Sequence, residues 1–130
     1  MDIDEIMKML DWNNTAETQE QGRELAKKVE CINVFIQPTH RKYGKNVWDN
    51  CAIILSEKSD AELETFLYGL FHWLDDMTCP GAKTIIERLF KYKTTQKFNY
   101  IMNDCIEDAI KLNDEVWLNA LLEVKKKHMG

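Results

Sequence analysis

His72 and Asp76 stand four residues apart, with Asp75 beside the second and Tyr68 four residues before the first. On a helix that spacing puts an imidazole and a carboxylate on one face, where they can pass a proton or begin a metal site. Two ligands do not complete such a site, since zinc is held by three or four side chains. Nor does a nucleophile motif accompany them. The chain lacks Gly-x-Ser-x-Gly, a P-loop, His-Glu-x-x-His and Gly-x-Gly-x-x-Gly, and its five glycines are scattered. The expectation is no catalytic residue, no metal and no cofactor. A solvated helix face is the weightier reading of His72, and a hydrolase built on it and the neighbouring aspartates is the remote alternative. His40 and His128 fall in a basic loop and a basic tail and read as ordinary exposed histidines.

The four cysteines do not point to a site either. Cys31, Cys51, Cys79 and Cys105 are far apart, with no Cys-x-x-Cys pair for zinc or redox chemistry. Cys31, Cys51 and Cys105 fall on helical stripes where Phe, Ile or Leu stands 35 residues away, so they read as small buried apolar side chains. Cys79, in a turn, reads as the most accessible thiol.

What positions these groups is written as a repeat. Leu63, Phe66, Leu67, Leu70, Phe71, Leu74 and Met77 form one helical stripe, matched 35 residues later by Phe98, Ile101, Met102, Cys105, Ile106, Ala109 and Leu112. A shortened first copy lies at Cys31, Ile32, Phe35 and Ile36. The register continues into second helices through Cys51, Ile86 and Leu121, then Ile54, Leu89 and Val124. The pattern predicts an all-α tandem array of three helical hairpins in a single domain over residues 1–130. A helix over residues 2–11 caps its start. Seven helices and no strand are expected.

Punctuation supports these boundaries. Asn14 or Thr15 opens a long helix that runs to Pro38, and a loop follows from Thr39 to Lys45. Asn46 opens the third helix, which ends near Ser56. Ser59 and Glu62 make a capping box for the fourth, which closes at Asp75 to Cys79. Pro80 is expected in the first turn of the fifth, Thr94 or Thr95 at the start of the sixth, and Asn113, 35 residues after Thr78, as the cap of the seventh.

At this point a resemblance can be named. The apolar first helix, the Trp73-Leu-Asp-Asp-Met turn, the Pro-Gly-Ala start and the Ile-Ile-x-x-Leu second helix, over Leu63 to Leu89, resemble a HEAT or armadillo-like unit. More narrowly, Trp73 to Ala82 is similar to the core of a small bacterial HEAT-like domain of unknown function, with Cys79 where that core carries an aromatic residue. The resemblance implies a right-handed α-α superhelix and a role like that of immunity proteins and adaptors, without catalysis. It also implies that Asp75 fixes the inter-helix loop.

Charge comes in blocks. Residues 1–24 hold seven acids against two bases, 27–45 one against five, 49–76 seven against one, 83–97 one against five and 104–115 five against one. The end of the chain adds Lys125, Lys126 and Lys127 against Glu123, and the net charge is −5. Local ion pairing accounts for most such patterns. The segment from His40 to Lys45, with Lys91, Lys93 and Lys97, is the candidate for phosphate contact, but an acidic chain repels nucleic acid at long range. The acidic faces favour a basic protein partner instead. Trp48 with Leu118, and Ala52 with Leu122, form an off-stripe apolar row on the second helices, interrupted by Lys83 and Glu87.

The expected function is non-catalytic protein binding, in its most concrete form a bacterial immunity protein that neutralises a cognate toxin, such as a basic nuclease domain. The alternative is a regulatory or scaffolding adaptor. Contact residues are expected among Trp48, Tyr68, His72, Asp76, Glu107, Leu118 and Leu122, with no direct nucleic-acid or membrane contact. No leader or long apolar run is seen, and the location is expected to be cytoplasmic.

Overall fold

The structure, a computed structural model, describes residues 2–40 and 42–129, without the side chains of Thr39 and His40. Every regular element among the described residues is helical. The helices are α1 (Ile3–Met9), α2 (Ala16–Ala26), α3 (Gln37–His40), α4 (Trp48–Ser56), α5 (Asp60–Leu63), α6 (Leu67–Trp73), α7 (Ala82–Lys91), α8 (Gln96–Lys111) and α9 (Glu115–Met129). Tight 3-10 turns lie at Ile32–Phe35, Lys45–Val47 and Glu64–Phe66. Seven of the helices run seven residues or more, the number expected from sequence.

Packing follows the apolar register. α3 lies against α6 and α6 against α8 in one row; α4 lies against α7 and α7 against α9 in a second. The rows are joined where the Ile32–Phe35 turn meets α4, α6 meets α7 and α8 meets α9. Residues 35 apart converge on the interior: Ile32, Leu67 and Met102, then Cys51, Ile86 and Leu121, then Ile54, Leu89 and Val124 are all buried. α1 and α2 pair with each other and α2 packs on α4. Their approach is close, because a Cβ on Gly22 would stand 2.9 Å from Met9 Cβ. The joint is tied by buried Asn50, whose amide donates to the Leu10 carbonyl (2.7 Å) and to Gln19 Oε1 (2.8 Å) while its oxygen accepts from Arg23 (2.6 Å).

Several boundaries differ from expectation. The long helix to Pro38 does not form: α2 ends at Ala26, and Pro38 lies inside α3. Val29 to Ile36 is rich in β-branched residues, which have poor helix propensity, and the break lets Ile32, Phe35 and Ile36 enter the core. Cys31 consequently lies exposed rather than buried, while Cys51 and Cys105 are buried and Cys79 is only partly accessible. The fourth helix keeps its Ser59–Glu62 capping box but is interrupted at Glu64–Phe66. Thr15 caps α2, and Asn14 instead closes α1 through the Lys8 and Met9 carbonyls.

The second-helix starts are also unlike each other. Pro80 precedes α7, whose N-cap is Gly81. Asn113 does not cap α9; it takes the left-handed conformation, φ 54°, that terminates α8. Asp114 caps α9 by accepting from the Trp117 N–H at 3.1 Å. At the other end of α9 His128 is no free tail residue. Its ring lies 4.5 Å from that of Phe98 and its two nitrogens pair with the Leu89 carbonyl and Thr94 hydroxyl, each at 2.7 Å.

Two ties decide how the second row meets the turns. Gly81 has φ +87°, and a Cβ there would stand 2.8 Å from Ala52 Cβ and 2.9 Å from both the Trp48 carbonyl oxygen and the Trp73 ring. Arg88 joins the Lys58 carbonyl and the Asp60 carboxylate, and Asp60 also accepts from the Lys93 N–H. Partial burial pushes the Asp60 carboxyl up, but the Lys93 N–H and the Arg88 guanidinium outweigh it and hold it below 3.8. The basic segment 83–97 is thus partly spent on acids of 57–64, with Lys97 paired to Glu64 at 3.2 Å.

Three outcomes are expected. Gly81→Ala combines left-handed strain of about 1–2 kcal/mol with an overpacked site, and urea unfolding should show a loss larger than that strain alone. Leu70, 1 % exposed, should cost roughly 2–5 kcal/mol on replacement by Ala; a shift below about half a kcal/mol would show that the stripe is not core. The Asp60 contribution is complete above the ordinary value of 3.8 and is lost as pH falls through the lower folded value. Asp60→Asn should therefore flatten the dependence of stability on pH below about pH 4, measured by denaturant melts.

Candidate functional site

The segment between α3 and α4 and the turn between α6 and α7 enclose a cleft of about 630 Å³. Tyr43, Trp48, His72 and Trp73 supply its rings, and Lys45, Asp75 and Asp76 its charges, with Pro38, Gly44 and Cys79 completing the lining. Trp48, 8 % exposed, meets Trp73 edge-on with ring centroids 6.2 Å apart. Its Nε1–H is buried without an acceptor, whereas the Trp73 indole donates to the Pro80 carbonyl at 3.1 Å. Lys45, exposed, holds its ammonium 5.8 Å from the centroid of the Trp48 ring.

His72 and Asp76 both line the cleft, but not as a helical pair. α6 stops at Trp73, and Asp76 lies in the following turn. There Asp76 Oδ1 accepts from the Thr78 N–H (2.9 Å) and hydroxyl (2.5 Å). These two bonds hold the carboxyl below its usual range, against a small upward push from desolvation and with help from Lys45. Asp76 is therefore an aspartate that fixes the turn. Asp75 reaches the cap of α9: a hydrogen bond with Asp75, then the Trp117 N–H, hold the Asp114 carboxyl low. The exposed His72 ring packs 4.7 Å from Trp117, whose indole donates to the Phe71 carbonyl at 2.9 Å. His72 is thus a packed edge of the cleft and not a purely solvated side chain.

Chemically the cleft offers ring faces, carboxylates and the Cys79 thiol. Burial pushes the Cys79 thiol up, nearby Asp76 adds to this, and its Sγ lies 3.8 Å from the Trp73 carbonyl oxygen. Among the described residues no group of three or more His, Cys, Asp or Glu is placed to hold a metal ion. No helix among them is long and apolar enough to cross a membrane.

The remaining candidate residues divide between two surfaces. Tyr68, 40 % exposed, donates to Asp104 on α8 at 2.9 Å, and that bond pushes its phenol up to about 12. Glu107, exposed and one turn beyond Asp104, extends the same acidic outer face. Leu118 is half-buried and Leu122 is 43 % exposed on α9. The off-stripe row therefore does not form one groove, since Trp48 and Ala52 are buried at the first hairpin. Tyr43 and Lys45, which sequence groups with a basic loop, become a wall of the cleft. Tyr43 and Lys42 are both engaged with Asp4, while the His40 side chain and Arg41 lie outside the described residues. Only the placement of Trp48, one repeat before the second hairpin's own second helix, hinted that this loop would face the Trp73 turn.

No curated protein and no solved structure matches the chain. Residues 44–129, which include the Trp48 wall, the whole α6–α7 turn and both later hairpins, match a family described as a domain of unknown function, DUF5071. With well over half of its length in that match, the chain belongs to this family.

Proposed function

We propose that the protein is a non-catalytic protein-binding module with a HEAT-like right-handed α-α superhelix, and that it serves as a bacterial immunity protein neutralising a cognate toxin. One observation carries this reading. His72 and Asp76 at the cleft, and Tyr68, Asp104 and Glu107 on the neighbouring outer face, combine ring surfaces with carboxylates on adjoining parts of α6, its turn and α8. An exposed acidic surface with aromatic anchors suits a basic protein partner, because complementary charge speeds encounter and buried rings slow release. A nuclease-like toxin, basic because it must hold phosphate, has that chemistry. The packing order of the two helix rows supports the superhelical reading.

The adaptor alternative draws on a different observation. Leu122 lies on α9 away from the cleft's lining residues and remains 43 % exposed, a surface suited to a second helical element. The two readings separate in one experiment. Reversing Asp76 and Glu107 to Lys should slow association with a basic toxin steeply at low salt and abolish protection on co-expression, while Leu118→Asp should mainly speed dissociation. Circular dichroism and thermal melts establish that the variants fold. If the folded wild-type protein binds and protects against none of the toxins encoded beside it, the immunity reading fails and the adaptor reading stands.

A further inference from the structure

The cleft has the parts of a receptor for one kind of side chain. The Trp48 ring forms one wall, and the fold already sets a cation against it: the Lys45 ammonium lies 5.8 Å from the ring centroid. Lys45 is exposed and forms no direct ion pair among the described residues, so the ring contact and the more distant charge of Asp76 are what hold it there. Across the lining stands Asp76, whose carboxylate is oriented before any ligand arrives. Both bonds from Thr78 fall on Oδ1, and Oδ2 takes none among the described residues. A planar cation that stacks on an indole and donates in the plane to a carboxylate oxygen fits both features, and guanidinium has that shape where ammonium does not.

We propose that this cleft captures an arginine side chain of a partner protein, with the guanidinium displacing Lys45 from the Trp48 face and donating to Asp76 Oδ2. The volume, about 630 Å³, exceeds what one side chain fills and leaves room for the flanking peptide backbone. His72, packed against Trp117, adds a further ring edge to the cleft. Lys45 then acts as an internal stand-in that an arriving arginine must replace. This deepens the protein-binding reading, and its biological partner rests on that reading; the capture itself does not, because a small probe tests it without any toxin.

The test is a titration of the full chain with Nα-acetyl-arginine amide, followed through the indole N–H signals of Trp48 and Trp73 in 1H–15N spectra. The citrulline counterpart serves as the uncharged isostere. Arginine should shift the Trp48 signal saturably and citrulline should not. Asp76→Asn keeps an oxygen for the two Thr78 bonds but replaces the free acceptor with a donor, and should weaken binding about tenfold. Lys45→Ala empties the ring face and should tighten binding about threefold. Equal binding of citrulline and arginine, or weaker binding in Lys45→Ala, would overturn the proposal, as would an unaffected Asp76→Asn protein whose spectrum shows the native fold. A toxin that binds while the arginine probe fails would leave the protein-binding reading standing and remove this one; the reverse result would remove only the toxin.

Discussion

The contact on which the molecule turns is the approach of Gly81 to α4. Backbone with φ +87° is set so near its neighbours that a Cβ on it would stand 2.8 Å from the Ala52 methyl and 2.9 Å from the Trp48 carbonyl oxygen and the Trp73 ring, and no side chain fits between them. Because glycine alone permits that approach, α7 can start against α4 rather than a side chain's width away. The Trp73 indole closes the same turn on the Pro80 carbonyl. The arrangement joins two hairpins beside the cleft that Trp48, Trp73 and Asp76 line. Core packing and cleft geometry are thus one property, and a change in either is felt in the other.

Electrostatics divides along the same architecture. Arg88 and Lys97 settle on Asp60 and Glu64, so part of the basic stretch between residues 83 and 97 is consumed in tying successive turns together. The acids of α8, of the α6–α7 turn and of the α9 cap are met less fully by bases: Asp104 is answered by a phenol, Asp76 by Thr78 and Asp114 by backbone and another carboxyl. Carboxylates satisfied by neutral donors keep their charge available to the surroundings. That difference, more than the net charge, gives the outer face its acidic character.

The helical class, the number of longer helices and most buried positions were legible because apolar spacing reports directly on burial. Ile32, Leu67 and Met102 needed only their period to be placed. What failed were inferences that treated register as conformation. Thr78 and Asn113 occupy the same repeat position, yet one donates to Asp76 and the other ends a helix with positive φ. The His72–Asp76 spacing fits a helix that in fact stops at Trp73. The cleft depended on two segments about thirty residues apart meeting at a glycine, and local patterns carry no record of such a meeting. Trp48 reads in the sequence as an off-stripe apolar residue and Tyr43 and Lys45 as part of a basic loop, whereas the fold puts all three on one cleft.

α9 is fastened near both ends. Trp117 holds the Phe71 carbonyl at its start, and His128 reaches Leu89 and Thr94 at its finish. Leu118 and Leu122 therefore ride on a strut whose orientation is settled before anything touches it. A partner meeting that side owes little entropy for ordering the helix, so the strength of contact there is governed by how well it excludes water from two leucines. The same rigidity makes the surface selective by shape: a complementary ridge fits at once, and a poorly matched one gains nothing from adjustment.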